Sequence, residues 1–128
     1  MTDILPTCRH ALSAAERLGA AARKAVAGLV APEGRVDPEL MEREQYGAHG
    51  FAWLSTYLAA LREALHWAER LDAAGRLREL DRLILQAAFG EYLQQMLGGI
   101  PISQSEMVRP ADLGLEADAL TAFVAVRA

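Results

Sequence analysis

The sequence predicts an all-α fold: an up-down bundle of three long helices followed by short C-terminal helical segments, in one domain over residues 1–128. Three observations carry this. Long stretches place apolar residues three and four apart, the spacing that stacks side chains on one side of a helix. Helix start and stop signals bracket those stretches. The turn between the second and third stretches is short, which makes those helices antiparallel neighbours.

The first helix is expected from about Pro6 to Val30. Pro6 suits a first turn, where its missing N–H is no loss. Leu12, Ala15, Leu18, Gly19, Ala22, Val26, Leu29 and Val30 form its inner stripe, while Glu16, Arg17, Arg23 and Lys24 point outward. Pro32 and Gly34 break the chain. Asp37 then caps the second helix, with Pro38 at its first position and Glu39 in its first turn. This helix is expected to continue to Leu71.

The second helix is apolar on two faces. One stripe runs Leu40, Gly47, Phe51, Leu54, Leu58, Leu61, Leu65, Ala68. The other runs Tyr46, Gly50, Trp53, Tyr57, Ala60, Ala64, Trp67, Leu71. A helix on the outside of a small domain needs only one stripe. Two mean that it is packed between neighbours, or packed on one side and docked on the other. Trp53, Tyr57 and Trp67 share the second stripe, and such residues are enriched at interfaces. Gly47 and Gly50 should each cost about 1 kcal/mol relative to Ala; they permit a close crossing or mark a kink near His49.

The third helix is expected from about Arg76 to Leu97, with Leu77, Leu80, Leu83, Ile84, Ala87, Ala88, Leu93 and Leu97 apolar. Gly98 and Gly99 end it, and Pro101 prevents its continuation. Ser103 and Glu106 have capping-box spacing, so a short helix is expected there. Pro110 limits that helix or begins another. A turn surrounds Gly114, and Ala117 to Val126 suits a last helix or a strand.

The composition is ordinary for a globular protein, 52% apolar and 23% charged. A chain of 128 residues buries roughly two thirds of its unfolded surface, enough for a real core. The formal net charge is −4 with no basic block, which argues against a nucleic-acid partner. Positive charge is almost all Arg, with Lys24 the only lysine, a bias expected of a GC-rich bacterial genome. Cys8 is the only cysteine, which fits a reducing cytoplasm. No apolar run reaches the roughly 18 residues of a membrane span, and Met1 to Leu5 lacks the features of a secretory signal. The expected location is cytoplasmic, with no membrane partner.

Catalytic constellations are weak. Glu63 and His66 have the Glu-x-x-His spacing of di-iron bundles, but such sites need two pairs and two further Glu residues. The pair is read as solvated, with Ser55, Arg62, Glu69 and Arg70 on the same polar face. Glu91 continues the line Leu80, Ile84, Ala87, Ala88, which places it on or beside the core-facing side. A buried carboxylate there would be a general base, an anion paired with Arg, or a residue at the stripe edge. His10 and His49 have no nucleophile at recognisable spacing, and Cys8 two residues before His10 does not make a thiolate pair. No glycine-rich loop precedes a helix to hold phosphate. Hence no catalytic, cofactor-binding or metal-binding residue is assigned. The interface candidates are Trp53, Tyr57, Trp67 and the polar cluster Ser103, Gln104, Glu106 and Arg109, the last four read either as a helix cap with a surface ion pair or as a docking loop.

Two runs carry a family resemblance: EQYGAHGFAWLSTYLAAL, Glu44 to Leu61, and FGEYLQQMLGGIPISQSEMVRPADLGL, Phe89 to Leu115. In this order they resemble the N-terminal extension of certain acyl-CoA dehydrogenases. The resemblance implies a homo-oligomeric FAD enzyme that oxidises a branched acyl-CoA to its enoyl-CoA and passes electrons to an electron-transfer flavoprotein. It implies that the catalytic Glu and the flavin and CoA contacts lie in a dehydrogenase core outside this chain. No residue here inherits those roles, Glu91 included. The chain is therefore expected to be a non-catalytic accessory or docking domain without a cofactor of its own, with the FAD-bearing core domain or subunits of the same enzyme as partners. The alternative is a free-standing small helical enzyme or metal-binding bundle using Glu91 with His49 or His66.

Overall fold

The structure, a computed structural model, describes residues 3–126. Met1 and Thr2, part of the segment read for a targeting signal, lie outside them. Helix α1 spans Ile4–Val30, α2 Pro38–Arg43, α3 Gln45–Ala73, α4 Glu79–Gly98 and α5 Ala117–Ala125. Strands β1 (Ile100–Pro101) and β2 (Met107–Val108) and a 3-10 helix over Pro110–Leu113 lie between α4 and α5. The fold is all-α, as the spacing predicts. α3 packs on both α1 and α4, and α1 also touches α4, closing a three-helix bundle. α5 lies on α1.

The α1 helix begins two residues before Pro6, because the Asp3 carboxylate accepts the Leu5 N–H at 3.2 Å. Its inner stripe Leu12, Ala15, Leu18, Gly19, Ala22, Val26 and Val30 is buried as expected, extended by Leu5 and Cys8. Leu29, expected inside, is exposed. On the flank facing α3, Arg62 donates to Glu16 at 2.8 Å and Arg9 to Glu69 at 2.6 Å. Exposed pairs of this kind contribute about 0–1 kcal/mol each and mainly fix alignment.

Asp37 caps α2 as the sequence requires, accepting from Glu39 at 2.9 Å and Leu40 at 3.2 Å. The second helix is not continuous, however. It breaks at Glu44, whose φ of −103° and ψ of 24° leave the helical region. None of the six residues of α2 is fully buried and Met41 is only partly packed against the core, so little holds that turn in line with α3. Beyond the break, α3 runs through Gly47 and Gly50 without interruption. The glycines serve close approach, but to the C-terminal segment rather than to another long helix. A Cβ at Gly47 would lie 3.3 Å from the Asp112 carbonyl oxygen, and one at Gly50 would lie 2.6 Å from Val108 Cγ1.

No helix starts at Ser103. Residues 100–108 form an antiparallel hairpin in which Ile100 pairs with Val108 and Pro101 with Met107. Ser103 does cap, but it caps the hairpin turn: its Oγ accepts from Ser105 and Glu106 at 3.3 and 3.1 Å. Pro110 begins the 3-10 helix, which ends at Gly114 in the left-handed region with φ of 73°. Ala117–Ala125 is helix rather than strand and buries Phe123.

Candidate interaction surfaces

The first stripe of α3 is the core stripe. Gly47, Leu54, Leu58, Leu61, Leu65 and Ala68 are buried, and Phe51 is half-buried. Of the second stripe, Tyr57 lies against α4, while Gly50 and Tyr46 lie against the C-terminal segment. Trp53, Tyr57 and Trp67 are each half-buried and packed against the core, while Tyr46 is exposed. Tyr57 stacks on Tyr92 of α4 with centroids 4.6 Å apart and planes 27° from parallel. Its hydroxyl donates to Gln95 Oε1, and Gln95 Nε2 donates to Glu91 Oε1 at 2.8 Å. Burial first, then the neighbouring Tyr92 and Glu91, raise the Tyr57 pKa and keep the phenol protonated as the donor. Trp53 Nε1–H donates to His49 Nε2 at 3.1 Å, one turn earlier on the same helix.

Glu91 is thus not on the core-facing side. It is exposed, and its partner is Gln95, not an Arg. The buried positions of α4 are Asp81, Leu85, Phe89, Leu93 and Met96. The line Leu80, Ile84, Ala87 that Glu91 continues faces outward, with Leu80 62%, Leu83 54% and Ile84 50% exposed. The helix is apolar around most of its circumference, so spacing alone does not tell inside from outside.

The covered carboxylate is Asp81, a residue the sequence did not single out. It is 4% exposed, yet it sits at the start of α4 near the surface rather than deep in the core. It accepts the Arg78 backbone N–H at 3.0 Å and the Arg78 guanidinium at 3.1 Å. These hydrogen bonds, the side-chain one foremost, hold its pKa below the usual carboxylate range. Its signal is the Arg78-x-x-Asp81 spacing of a helix start, concealed because Arg is an unusual N-cap residue and the apolar pattern places the start at Arg76.

The hairpin places Ser103 and Glu106 together, the Ser103 hydroxyl donating to Glu106 at 3.3 Å, with Gln104 exposed beside them. Arg109 stands apart from that turn. Its backbone N–H donates to Asp112 at 2.7 Å and starts the 3-10 helix, leaving the side chain exposed. Tyr46 ties the hairpin to α3 by donating its hydroxyl to the Met107 carbonyl.

The remaining titratable groups are dispersed. Glu63 and His66 are exposed on α3. His10 is exposed on α1, whereas Cys8 turns into the core, where burial raises its pKa to about 11. Among the described residues no three His, Cys, Asp or Glu side chains are grouped to hold a metal ion, so neither His49 nor His66 joins Glu91 in such a cluster. No helix of the described residues is long and apolar enough to cross a membrane.

Comparison with known proteins agrees with the resemblance in the two runs quoted above. Over 114 residues the chain is 46% identical to (2S)-methylsuccinyl-CoA dehydrogenase of Cereibacter sphaeroides. The chain resembles one segment of an acyl-CoA dehydrogenase. The match takes in 89% of this chain and 21% of the relative, so the chain spans about a fifth of the dehydrogenase's length. No protein-family profile matches the chain.

Proposed function

We propose that this chain is a non-catalytic helical accessory domain of an acyl-CoA dehydrogenase-like flavoenzyme. Its role is docking, support of a homo-oligomer or shaping of the substrate channel. The parent reaction is FAD-dependent oxidation of a branched acyl-CoA, such as methylsuccinyl-CoA, to its enoyl-CoA in the cytoplasm. The observation that carries this reading is the 46% identity to a segment that makes up a fifth of such an enzyme. The chemistry of the side chains supports it. Glu91 and Gln95 are used to hold Tyr57, His49 receives Trp53, and Asp81 starts a helix. Arg9, Arg62 and Arg78 are paired with carboxylates rather than gathered for a pyrophosphate. The faces proposed for contact with the catalytic body are the Trp53, Tyr57, Trp67 stripe and the hairpin with Ser103, Gln104, Glu106 and Arg109.

The test removes the matched segment from the Cereibacter sphaeroides enzyme and then inserts residues 1–128 of this chain in its place. Deletion is expected to lower thermal stability, oligomeric mass or catalytic efficiency, and the insertion to restore what was lost. A deleted enzyme indistinguishable from its parent in all three contradicts the proposal.

A further inference from the structure

We propose that the outer face of α4, formed by Leu80, Leu83, Ile84, Ala87 and Gly90, is a further surface, beside the two already named, on which the catalytic portion of the same dehydrogenase polypeptide packs. This rests on the accessory-domain reading and adds a contact to it. Leu80, Leu83 and Ile84 are the most exposed large apolar side chains of the bundle's long helices. A contiguous apolar patch of this kind marks an interaction site more often than a solvated surface.

The face is also kept free of charge. Between Leu80 and Gly90 the charged residues are Asp81 and Arg82. Asp81 is covered and bonded to Arg78, and Arg82 leans toward Asp3 at 3.8 Å and Asp72 at 4.0 Å. Gly90 adds an independent sign. It lies inside the helix, where Gly costs about 1 kcal/mol relative to Ala. A Cβ there would meet nothing within 4 Å, so nothing in this fold requires the glycine. With Ala87 one turn earlier, it lets another backbone approach closely.

Charge at the rim argues for the occupant. The face is bounded by exposed Glu79 and Glu91, and the exposed Arg78 beside Glu79 is engaged by Asp81. In a symmetric antiparallel pair of α4 helices, Glu79 of each copy would meet Glu91 of the other, and a parallel pair would set like on like. The net charge of −4 adds to that repulsion. A second copy is therefore disfavoured, and an apolar surface with a neutral or basic rim is favoured. The relative supplies the source, since four fifths of its polypeptide lies outside the matched segment.

Cysteine accessibility tests this. Ile84→Cys is placed in the 128-residue chain and in the dehydrogenase that carries this chain in place of its own segment. Glu33→Cys serves as a distant control, Gln104→Cys as a hairpin reporter and buried Cys8 as the internal check on folding. Maleimide is expected to label Ile84→Cys rapidly in the chain alone and about tenfold more slowly in the whole enzyme, with Glu33→Cys unchanged. Should the fused protein not fold, the separately purified catalytic portion is added in trans and the same slowing is expected. Equal labelling at Ile84→Cys with slowed labelling at Gln104→Cys overturns this inference and leaves the accessory reading standing. Equal labelling at every position overturns both. Protection that grows with the concentration of the chain alone, with a dimer in sedimentation, assigns the face to a second copy and overturns the inference.

Discussion

Ile84 and Leu85 are neighbours in the chain and stand on opposite sides of α4: Leu85 is fully buried at 0% exposure and Ile84 is 50% exposed. Leu85→Ala should cost about 2–5 kcal/mol by leaving a cavity between the helices. Ile84→Ala should change stability by no more than about 0.5 kcal/mol in the isolated chain. Urea titrations of the two variants, followed by far-UV circular dichroism, make the comparison. Similar losses in both would mean that α4 is rotated from the position described.

Two glycines in helix interiors should respond in opposite directions to Ala. Gly50→Ala pushes a methyl group to 2.6 Å from Val108 Cγ1 and 2.9 Å from Cγ2, and Val108 is buried and β-branched, with little freedom to swing away. Overpacking costs of about 1–3 kcal/mol exceed the helical gain, so Tm falls. Gly90→Ala meets open space, and the gain of about 1 kcal/mol in helix propensity raises Tm. Thermal melts of both variants decide.

The first stripe of α3 was legible in the sequence because Arg62, Glu63, His66 and Arg70 mark the opposite side and fix the phase of the pattern. On α4 the run Leu80, Leu83, Ile84, Leu85 offers apolar groups in several directions, and only the positions of α1 and α3 decide which go inside. That is why spacing places Glu91 toward the core and gives no sign of Asp81. The break at Glu44 has no Gly or Pro to announce it. The Ser103 and Glu106 spacing is shared by a helix cap and a tight turn, and pairing of Ile100 with Val108 resolves it. Residue type marks Trp53, Tyr57 and Trp67 as interface candidates, while their half-burial against the core is a tertiary outcome.

Cys8 should make stability fall at alkaline pH. Burial raises the folded thiol to about 11, above the roughly 8.5 of an unfolded cysteine. Below the unfolded value both states hold the proton and the contribution is complete. Above it only the unfolded chain ionises, so stability is lost as pH rises toward the folded pKa. The difference between wild type and Cys8→Ala in urea midpoints is expected to shift against wild type between pH 8 and 10. A constant difference would place the thiol in contact with water.

Asp81 works in the other direction. Its folded pKa is lowered by Arg78, so its contribution is present above the ordinary Asp value of about 3.9 and is lost as pH falls through the lower folded value. Asp81→Asn should be less stable than wild type at neutral pH, with the gap closing in acid. Thermal melts across an acidic pH series measure it; a gap that does not change with pH would remove the Arg78 pairing from the account of the α4 start.

Equilibrium dialysis of the 128-residue chain against FAD, and separately against an acyl-CoA, bears most directly on the accessory role. Among the described residues, Arg9, Arg62 and Arg78 pair with carboxylates, and the Gly98–Gly99 pair closes a helix instead of preceding one. The expected result is equal ligand on both sides of the membrane at micromolar concentrations, with no flavin absorbance retained by the protein. Stoichiometric retention of FAD or acyl-CoA by the isolated chain would contradict the account and return the chain to the class of ligand-binding or catalytic domains.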